Sequence, residues 1–414
     1  MVVHHPPAAT RRADLADPAF WLRPERERLD AFRELRRLPA PVFFGRPGSG
    51  FHALVRHRDV VAASRNPEVF RSGTGVTTPR PPRWVRQVFG DSMVNLDDPR
   101  HARLRGVVSR AFTPRVVARI SADVGRVATG IVDDVLGGHG AARDRDPADF
   151  VEAVAGRLPL EVICAMMGVP SEFRREVRAQ VDHAVERAGP RWRRVPGRNL
   201  RALARLHAVM GRVGRERRRA PTDDLISALV TADVDGRRLG GRELGSFFSL
   251  LLVAGVETTR NALAHGLCLL TANPGQRELL AADFDRHAAG FVDEVVRHAS
   301  PIIQFRRTLA RDHELHGHRL RAGEDVVLFY TSANRDESVF ADPDAFDITR
   351  SPNPHVGFGG GGPHFCLGTS LAREEMTVLF RELLTRLPAI RAAGPPRLAA
   401  SSFDNRVASL PFTF

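Results

Sequence analysis

The sequence predicts a mainly α-helical protein with small β-sheets. Apolar residues recur at three- and four-residue intervals in most segments, among them "PAFWLRPERERLDAFRELRRL", "GRELGSFFSLLLVAGVETTRNALAHGLCLLTA" and "GTSLAREEMTVLFRELLTRL". Strand-like segments with glycine turns are fewer: "FHALVRH" near the amino terminus and "HELHGHRLRAGEDVVLFYTSAN" near residue 320. The sequence shows no internal repeat and no long linker. Segments with helical spacing outnumber the strand-like ones along the chain.

The first segment of the chain shows no targeting signal. "MVVHHPPAATRRADLADPAF" is rich in Pro, Arg and Asp and has no continuous apolar core, so it predicts neither a signal peptide nor a membrane anchor. The longest apolar run, "FFSLLLVAG", is too short to span a bilayer. Cys164, Cys268 and Cys366 are too few and too scattered for a disulfide framework. We therefore expect a cytoplasmic protein without a membrane partner.

Composition places the 414-residue chain among globular proteins, because 43% of its residues are hydrophobic and 26% are charged. The formal net charge is +13, and all 61 basic residues are arginines. Such an excess could indicate nucleic-acid binding. The arginines are spread along the chain and interleaved with Asp and Glu, and no nucleic-acid motif accompanies them. We expect no nucleic-acid partner.

A run of four glycines precedes one cysteine in "NPHVGFGGGGPHFCLGTSLAREE". The run lacks the GK[ST] of a phosphate-binding loop and the strand and acidic residue of a dinucleotide fingerprint. Cys366 could be a small buried core residue, as most lone cysteines are. Alternatively, a thiolate just before a helix near Thr369 is favoured by the helix dipole. A thiolate with bare backbone around it describes the proximal ligand of haem iron.

The same loop, "FGGGGPHFCLG", resembles the haem-binding loop of cytochrome P450 enzymes. That loop has Phe, two residues, Gly, three residues and Cys-x-Gly. The resemblance implies that Cys366 is the axial ligand of haem b and that Phe358 and Gly368 belong to the cofactor site. Phe358 lies eight residues before Cys366, where seven is commonest, while Gly362 keeps the usual distance.

A second matching segment is "AGVETT", inside the long apolar helix. Polar residues there need partners or a function. Thr258 could simply donate to an earlier backbone carbonyl and bend the helix. The segment also resembles the family's oxygen-binding groove, which implies that Gly255 leaves room above the iron and that Thr258 and Glu257 relay protons. Ala254 lies four residues before Thr258 and shares its face.

A third matching segment is "DEVVRHASP", where Glu294 and Arg297 are neighbours on a helix surface. Such pairs are often exposed and contribute little. The segment resembles the family's Glu-x-x-Arg pair, which implies a buried structural bridge behind the haem loop. Ala345 stands where the family often has a further arginine, and Arg350 is a candidate substitute.

Further matching positions imply the rest of the cofactor site and the fold. The propionates of haem need cationic or hydrogen-bonding partners, and the family positions offer His101, Arg105, Arg307 and His364. The resemblance thus covers nearly the whole chain. It implies the family's triangular, mostly α prism as one domain at residues 19–414, behind a flexible segment at residues 1–18.

The family's substrate pocket implies a bulky hydrophobic substrate. The matching positions are largely apolar: Trp84, Val85, Val88, Phe89, Met93, Leu252, Val253, Ile302, Ile303, Phe305 and Phe403. Similar phrases occur in actinobacterial enzymes that hydroxylate sterols and branched lipids. They also occur in tailoring enzymes of secondary metabolism that act on carrier-bound amino acids or couple substrates oxidatively. The sequence leaves these alternatives open.

Electrons would have to come from another protein, because the chain has no flavin or iron-sulfur module. The resemblance implies a ferredoxin and a ferredoxin reductase using NADPH or NADH. It places their docking face near the cysteine, at Arg100, Arg103, Arg110, Arg115 and Arg373. A peroxide-driven enzyme would lack Glu257 and Thr258. A non-catalytic haem sensor remains an alternative from a different class.

Overall fold

The structure is a computed structural model. It describes the chain except residues 1–12, 79, 81–91, 112–113, 139–147, 171, 175, 178, 180–195, 223, 232 and 235–236. The described helices are α1 (Glu25–Arg37), α2 (His57–Arg65), α3 (Arg100–Ala111), α4 (Pro114–Leu136), α5 (Arg157–Met166), α6 (Pro196–Arg219), α7 (Leu225–Thr231), α8 (Gly241–Leu252), α9 (Thr258–Ala272), α10 (Pro274–Ala282), α11 (Phe284–Ala299), α12 (Tyr330–Ala333) and α13 (Thr369–Arg386).

The strands are short and form small sheets. They are β1 (Val42–Phe44), β2 (Phe51–Leu54), β3 (Phe70–Arg71), β4 (Ala148–Asp149), β5 (Asp233–Val234), β6 (Arg237–Arg238), β7 (Gln304–Leu309), β8 (His313–Leu315), β9 (His318–Leu320), β10 (Asp325–Phe329), β11 (Arg391–Ala392), β12 (Arg397–Leu398), β13 (Val407–Ser409) and β14 (Pro411–Thr413). The largest sheet has five strands in the order β1-β2-β10-β7-β3, and β10 runs parallel to β2. The predicted class, mainly helical with small sheets, is confirmed.

The central helix α9 is buried on most of its surface. Ala264 and Leu270 are fully buried in it, and its glycine, Gly266, faces Phe380 of α13. A Cβ added at Gly266 would lie 2.7 Å from Phe380 Cζ, so the missing side chain lets α9 and α13 pack closely. These two helices carry the candidate site, and their close packing holds its two sides together.

The described part of the amino-terminal segment is packed. Ala13 and Leu15 are buried in a cluster with Phe20 and Trp21, and the Trp21 indole N–H donates to the Leu15 carbonyl over 3.2 Å. Ala13 and Leu15 therefore contribute to a core, and the flexibility of residues 1–18 stays a prediction. Residues 1–12 lie outside the described part.

Within the described residues, no helix combines the length and apolar character that crossing a membrane requires.

Candidate active site

The cysteine loop ends directly at the start of α13. Gly368 caps the helix, the Cys366 backbone N–H donates to the Phe358 carbonyl over 2.9 Å, and the Thr369 hydroxyl donates to the Cys366 carbonyl over 2.8 Å. The Cys366 side chain is exposed. Partial removal from water raises the pKa of Cys366, while the Gly368 N–H, the Thr369 hydroxyl and the Arg105 charge lower it. A metal cation deprotonates such a thiol outright.

The other two cysteines are less suited to metal binding. Burial raises the pKa of Cys164 to about 12 and that of Cys268 to about 11. Inert buried cysteines are normally structural. Cys366 is therefore the cysteine that the described structure offers to a ligand.

The glycines before Cys366 make room for helix α2. A Cβ at Gly360 would lie 2.6 Å from Ser64 Oγ, and one at Gly362 would lie 2.2 Å from the Ser64 carbonyl oxygen. Arg65 Nε donates to the Gly360 carbonyl over 3.3 Å. The bare backbone before Cys366 therefore lets the loop pack against α2.

Residues suited to the propionates lie beside the cysteine loop. The rings of His101 and His364 are 4.1 Å apart between centroids, and Arg105 Nη2 donates to the Phe365 carbonyl over 2.7 Å. Desolvation, Arg307, His101 and Arg105 lower the pKa of His364 to about 3. Desolvation also lowers the pKa of buried Arg307. This concentration of cationic and N–H donors fits anionic carboxylates, so the residues present fit haem.

A π-helical turn, Val253–Glu257, joins α8 to α9. Such turns occur often at functional sites. Thr258 Oγ1 donates to the Ala254 carbonyl over 2.6 Å, which is the back-bond that the sequence offered as the simpler interpretation. Ala254 is exposed and Thr258 half-buried, so the two share an accessible face.

Gly255 packs against helix α5. A Cβ at Gly255 would lie 2.8 Å from Ile163 Cδ1 of helix α5. The missing side chain makes room for this core residue. That Gly255 leaves room above the iron stays a prediction.

Glu257 lies in a buried group of charged side chains. Its Oε1 is 3.4 Å from Arg260 Nη1, and its Oε2 is 3.8 Å from Arg406 Nε. Arg406 Nη2 also donates to Asp404 Oδ2 over 2.8 Å. The sequence did not indicate that Asp404 and Arg406 contact this group, because they lie about 150 residues after Glu257. The nearby opposite charges in "FDNR" were the local signal for an ion pair between these two residues.

Glu294 and Arg297 form a fully buried bidentate pair. Arg297 Nε and Nη2 donate to the Glu294 carboxylate over 2.8 and 2.7 Å, and Arg297 Nη1 donates to the Asn334 and Pro343 carbonyls. Arg350 Nε donates to Glu294 Oε1 over 3.2 Å, so Arg350 occupies the place suggested for it. Removing one partner of such a buried pair typically destabilises by about 3–5 kcal/mol.

The predicted pocket residues divide into three sets. Ile302, Phe305 and Phe403 are half-buried, and the Phe305 and Phe403 rings are 5.6 Å apart. Leu252 and Ile303 were predicted to line the pocket, but both are fully packed in the core, and Met93 is also mostly buried. The remaining positions lie outside the described part: Trp84, Val85, Val88, Phe89 and the side chain of Val253.

Two of the arginines predicted to form the docking face are paired with acidic side chains of the same chain. Arg100 pairs with Glu243 over 3.0 Å, and Arg373 pairs with Asp293 over 2.8 Å while lying over the Phe358 ring. Arg103 is exposed. The side chains of Arg110 and Arg115 lie outside the described part.

Comparison with known proteins gives a consistent result. The statistical model of the cytochrome P450 family matches residues 198–389. The methyl-branched lipid omega-hydroxylase of Mycobacterium tuberculosis is 43% identical over 419 residues, covering 99% of this chain and 96% of that protein. The steroid C26-monooxygenase of the same species is 35% identical, covering 95% of this chain and 90% of that protein.

Among solved structures, the Mycobacterium marinum cytochrome P450 CYP268A2, in complex with pseudoionone, superposes with a TM-score of 0.89. It is 42% identical, with 96% of this chain and 97% of that chain covered. The chain therefore belongs to the cytochrome P450 family. It has that family's fold, and it is a haem-dependent monooxygenase that carries haem b.

Proposed function

We propose that this cytochrome P450 hydroxylates a methyl-branched lipid or a steroid-like molecule in the cytoplasm, with electrons supplied by a ferredoxin and its reductase. The observation that carries the proposal is the accessible face of Ala254 and Thr258 at a π-helical turn. The turn leads into α9, which packs on the helix following Cys366. An accessible hydroxyl next to the buried carboxyl group of Glu257 suits controlled proton supply to dioxygen.

In this proposal each residue of the site has a separate task. Cys366 holds the iron, and haem supplies the activation of dioxygen when bound. The haem propionates are bound by the four residues described beside the cysteine loop: His101, Arg105, Arg307 and His364. Thr258 holds a proton at Oγ1, and Glu257 resupplies it. Phe358 and Gly368 shape the loop, and the Glu294–Arg297 pair holds the fold behind it.

The substrate class rests on the apolar wall and on the relatives. Ile302, Phe305 and Phe403 present partly accessible apolar surface. The Arg307 guanidinium lies 5.9 Å from the centroid of the Phe305 ring. The named relatives act on a methyl-branched lipid and a steroid. An extended or fused-ring hydrocarbon would cover this wall.

A substrate-binding screen followed by turnover tests this proposal. The haem-loaded protein is titrated with phytanic acid, cholestenone, pseudoionone and an aminoacylated carrier protein while the haem spin state is recorded. Each binder is then incubated with ferredoxin, ferredoxin reductase and NADPH, and products are identified by mass spectrometry. We expect a spin shift and a product with one added oxygen from a lipid or steroid. Oxidation of the carrier-bound amino acid alone would favour a tailoring enzyme, and absence of any turnover would favour a sensor.

The role of Thr258 predicts a defined defect in Thr258→Ala. General acid groups typically contribute about 100- to 10,000-fold, so the product rate falls while NADPH consumption continues and peroxide accumulates. Thr271→Ala is the matched control, because Thr271 Oγ1 also donates to a carbonyl four residues earlier on the same helix, over 2.7 Å. Tightly coupled product formation by Thr258→Ala would contradict the role.

A further inference from the structure

Four charged side chains form a row inside the protein, which we call the charge row: Arg260, Glu257, Arg406 and Asp404. The successive closest approaches are 3.4 Å, 3.8 Å and 2.8 Å. The exposed fractions of these side chains lie between 6% and 12%. Charges this well removed from water interact more strongly than surface pairs.

One end of the charge row belongs to the turn that carries Phe403. Asp404 follows Phe403 directly, and Ser401 Oγ donates to Asp404 Oδ1 over 2.5 Å. Ser401 Oγ also accepts from the Phe403 backbone N–H over 3.1 Å. The position of the Phe403 ring is therefore tied to that of the Asp404 carboxylate.

The turn is also fixed to the segment before β7, which carries the other part of the apolar wall. The Ile303 N–H donates to the Phe403 carbonyl over 2.8 Å, and the Asn405 N–H donates to the Pro301 carbonyl over 3.1 Å. Asn405 Nδ2 donates to the carbonyls of Ala299 and Ser300. Phe305 and Phe403 thus lie on two chain segments that are hydrogen-bonded to each other.

Arg406 stands between two carboxylates. Its guanidinium is hydrogen-bonded to Asp404, with Nη2 at 2.8 Å and Nε at 3.2 Å, and its contact with Glu257 is longer, at 3.8 Å. A movement of the turn that loosens the Asp404 bond frees the guanidinium to approach Glu257. A movement that tightens the bond draws it away.

We propose that Arg406 is a positioning residue that couples substrate contact at Phe403 to the orientation of Glu257. Substrate seated against Phe403 shifts the turn, Asp404 shifts the Arg406 guanidinium, and Glu257 changes its orientation beside Thr258. Proton supply is then matched to an occupied pocket. The inference rests on the proposed proton-relay role of Glu257.

Coupling of this kind acts in both directions: if substrate contact sets the orientation of Glu257, a substitution at Glu257 alters the substrate affinity. The test is therefore an equilibrium measurement. The Kd of pseudoionone is determined from the spin-state shift of the haem-loaded protein, for wild type, Glu257→Gln, Arg406→Gln and the double variant. Arg406→Lys, which keeps the charge, provides a variant expected to fold and to retain the coupling.

We expect Glu257→Gln to change the Kd by about 5-fold or more in the wild-type and Arg406→Lys backgrounds, at the lower end of typical coupling. In the Arg406→Gln background the change disappears. Arg277→Gln is the control background, because Arg277 is a half-buried arginine bonded to the Pro388 and Ile390 carbonyls, away from the charge row; there the full change remains. An equal effect of Glu257→Gln in the Arg406→Gln and Arg277→Gln backgrounds would overturn the proposal.

Turnover separates this inference from the proposed function. Arg406→Gln releases more peroxide per NADPH than wild type, and Arg406→Lys restores coupling. If wild type makes no oxygenated product, the monooxygenase assignment to this substrate class fails while the binding cycle still reports on Arg406. If wild type is productive and the binding cycle is additive, the role of Arg406 alone is wrong.

Discussion

At the scale of single residues, two buried carboxyl groups beside helix α9 have opposite surroundings. Glu257 contacts two arginines. Glu375 of α13 is 1% exposed, and burial and the Glu374 charge raise its pKa to about 8, although the Thr259 hydroxyl lowers it. Glu375 therefore keeps its proton at neutral pH. Ionising this buried carboxyl group would destabilise the folded protein, because a buried charge loses its hydration.

This environment predicts how Glu375→Gln changes the pH dependence of stability. Glutamate in the unfolded chain has a pKa of about 4.3, and Glu375 in the folded protein has a pKa of about 8. Between these two pH values the folded state therefore binds one more proton than the unfolded state. Wild type therefore loses free energy of unfolding relative to Glu375→Gln as the pH rises through this window, by up to about 1.4 kcal/mol per pH unit.

The measurement is denaturant unfolding of both haem-loaded proteins across this pH range. Glu382→Gln, a half-exposed position on the same helix, is the control and should give a difference from wild type that does not vary in this way. A constant difference between wild type and Glu375→Gln would show that the Glu375 carboxyl is ionised in the folded protein.

At the scale of elements, the local sequence pattern predicted single strands and helices better than it predicted which of them pair or pack together. "HELHGHRL" was expected to form strands and does form the antiparallel pair β8–β9. "FHALVRH" was expected to be one strand, but β2 ends at Leu54 and α2 begins at His57. The parallel pairing of β2 with β10, and the packing of the glycine loop on α2, join segments almost 300 residues apart. Periodicity carries no information on such contacts.

The glycine loop predicts a difference between two glycine substitutions. Gly362 and Gly317 have left-handed φ angles of +76° and +73°, so alanine strains the backbone about equally at both. A Cβ at Gly362 also meets the Ser64 carbonyl oxygen at 2.2 Å, whereas one at Gly317 meets nothing within 4 Å. Overpacking typically adds about 1–3 kcal/mol.

We therefore expect Gly362→Ala to lower the free energy of unfolding by at least about 1 kcal/mol more than Gly317→Ala does, and to lower haem content as well. Denaturant unfolding and the ratio of haem to protein absorbance provide the two readings. Equal losses from the two substitutions would mean that the loop does not depend on its contact with α2.

At the scale of the whole molecule, the sequence predicted the fold because motifs that resemble one family recur along nearly the whole chain. It could not predict which cationic side chains are already paired. Arg100 and Arg373 have acidic partners. Arg103 is exposed near the start of α3. We propose that its charge belongs to a basic docking face, to which an acidic ferredoxin would be attracted.

This docking face predicts salt-sensitive reduction. The Debye length falls from about 10 Å at 0.1 M salt to about 3 Å at 1 M, so steering between exposed charges weakens. Reduction by ferredoxin should slow with added salt and with Arg103→Glu, while reduction by dithionite should not. Arg397→Glu, on the separate β12–β13 pair, is the control charge reversal. Ferredoxin-driven rates indifferent to salt and to Arg103→Glu would place the docking face elsewhere.

The account as a whole depends on Cys366 being the haem ligand. The direct measurement is the carbon monoxide difference spectrum of the dithionite-reduced protein, for wild type, Cys366→Ser and Cys268→Ser. The account predicts the red-shifted band typical of thiolate ligation in wild type and Cys268→Ser, and its loss in Cys366→Ser. An unchanged band in Cys366→Ser would contradict the account, because the iron would then be held by another residue.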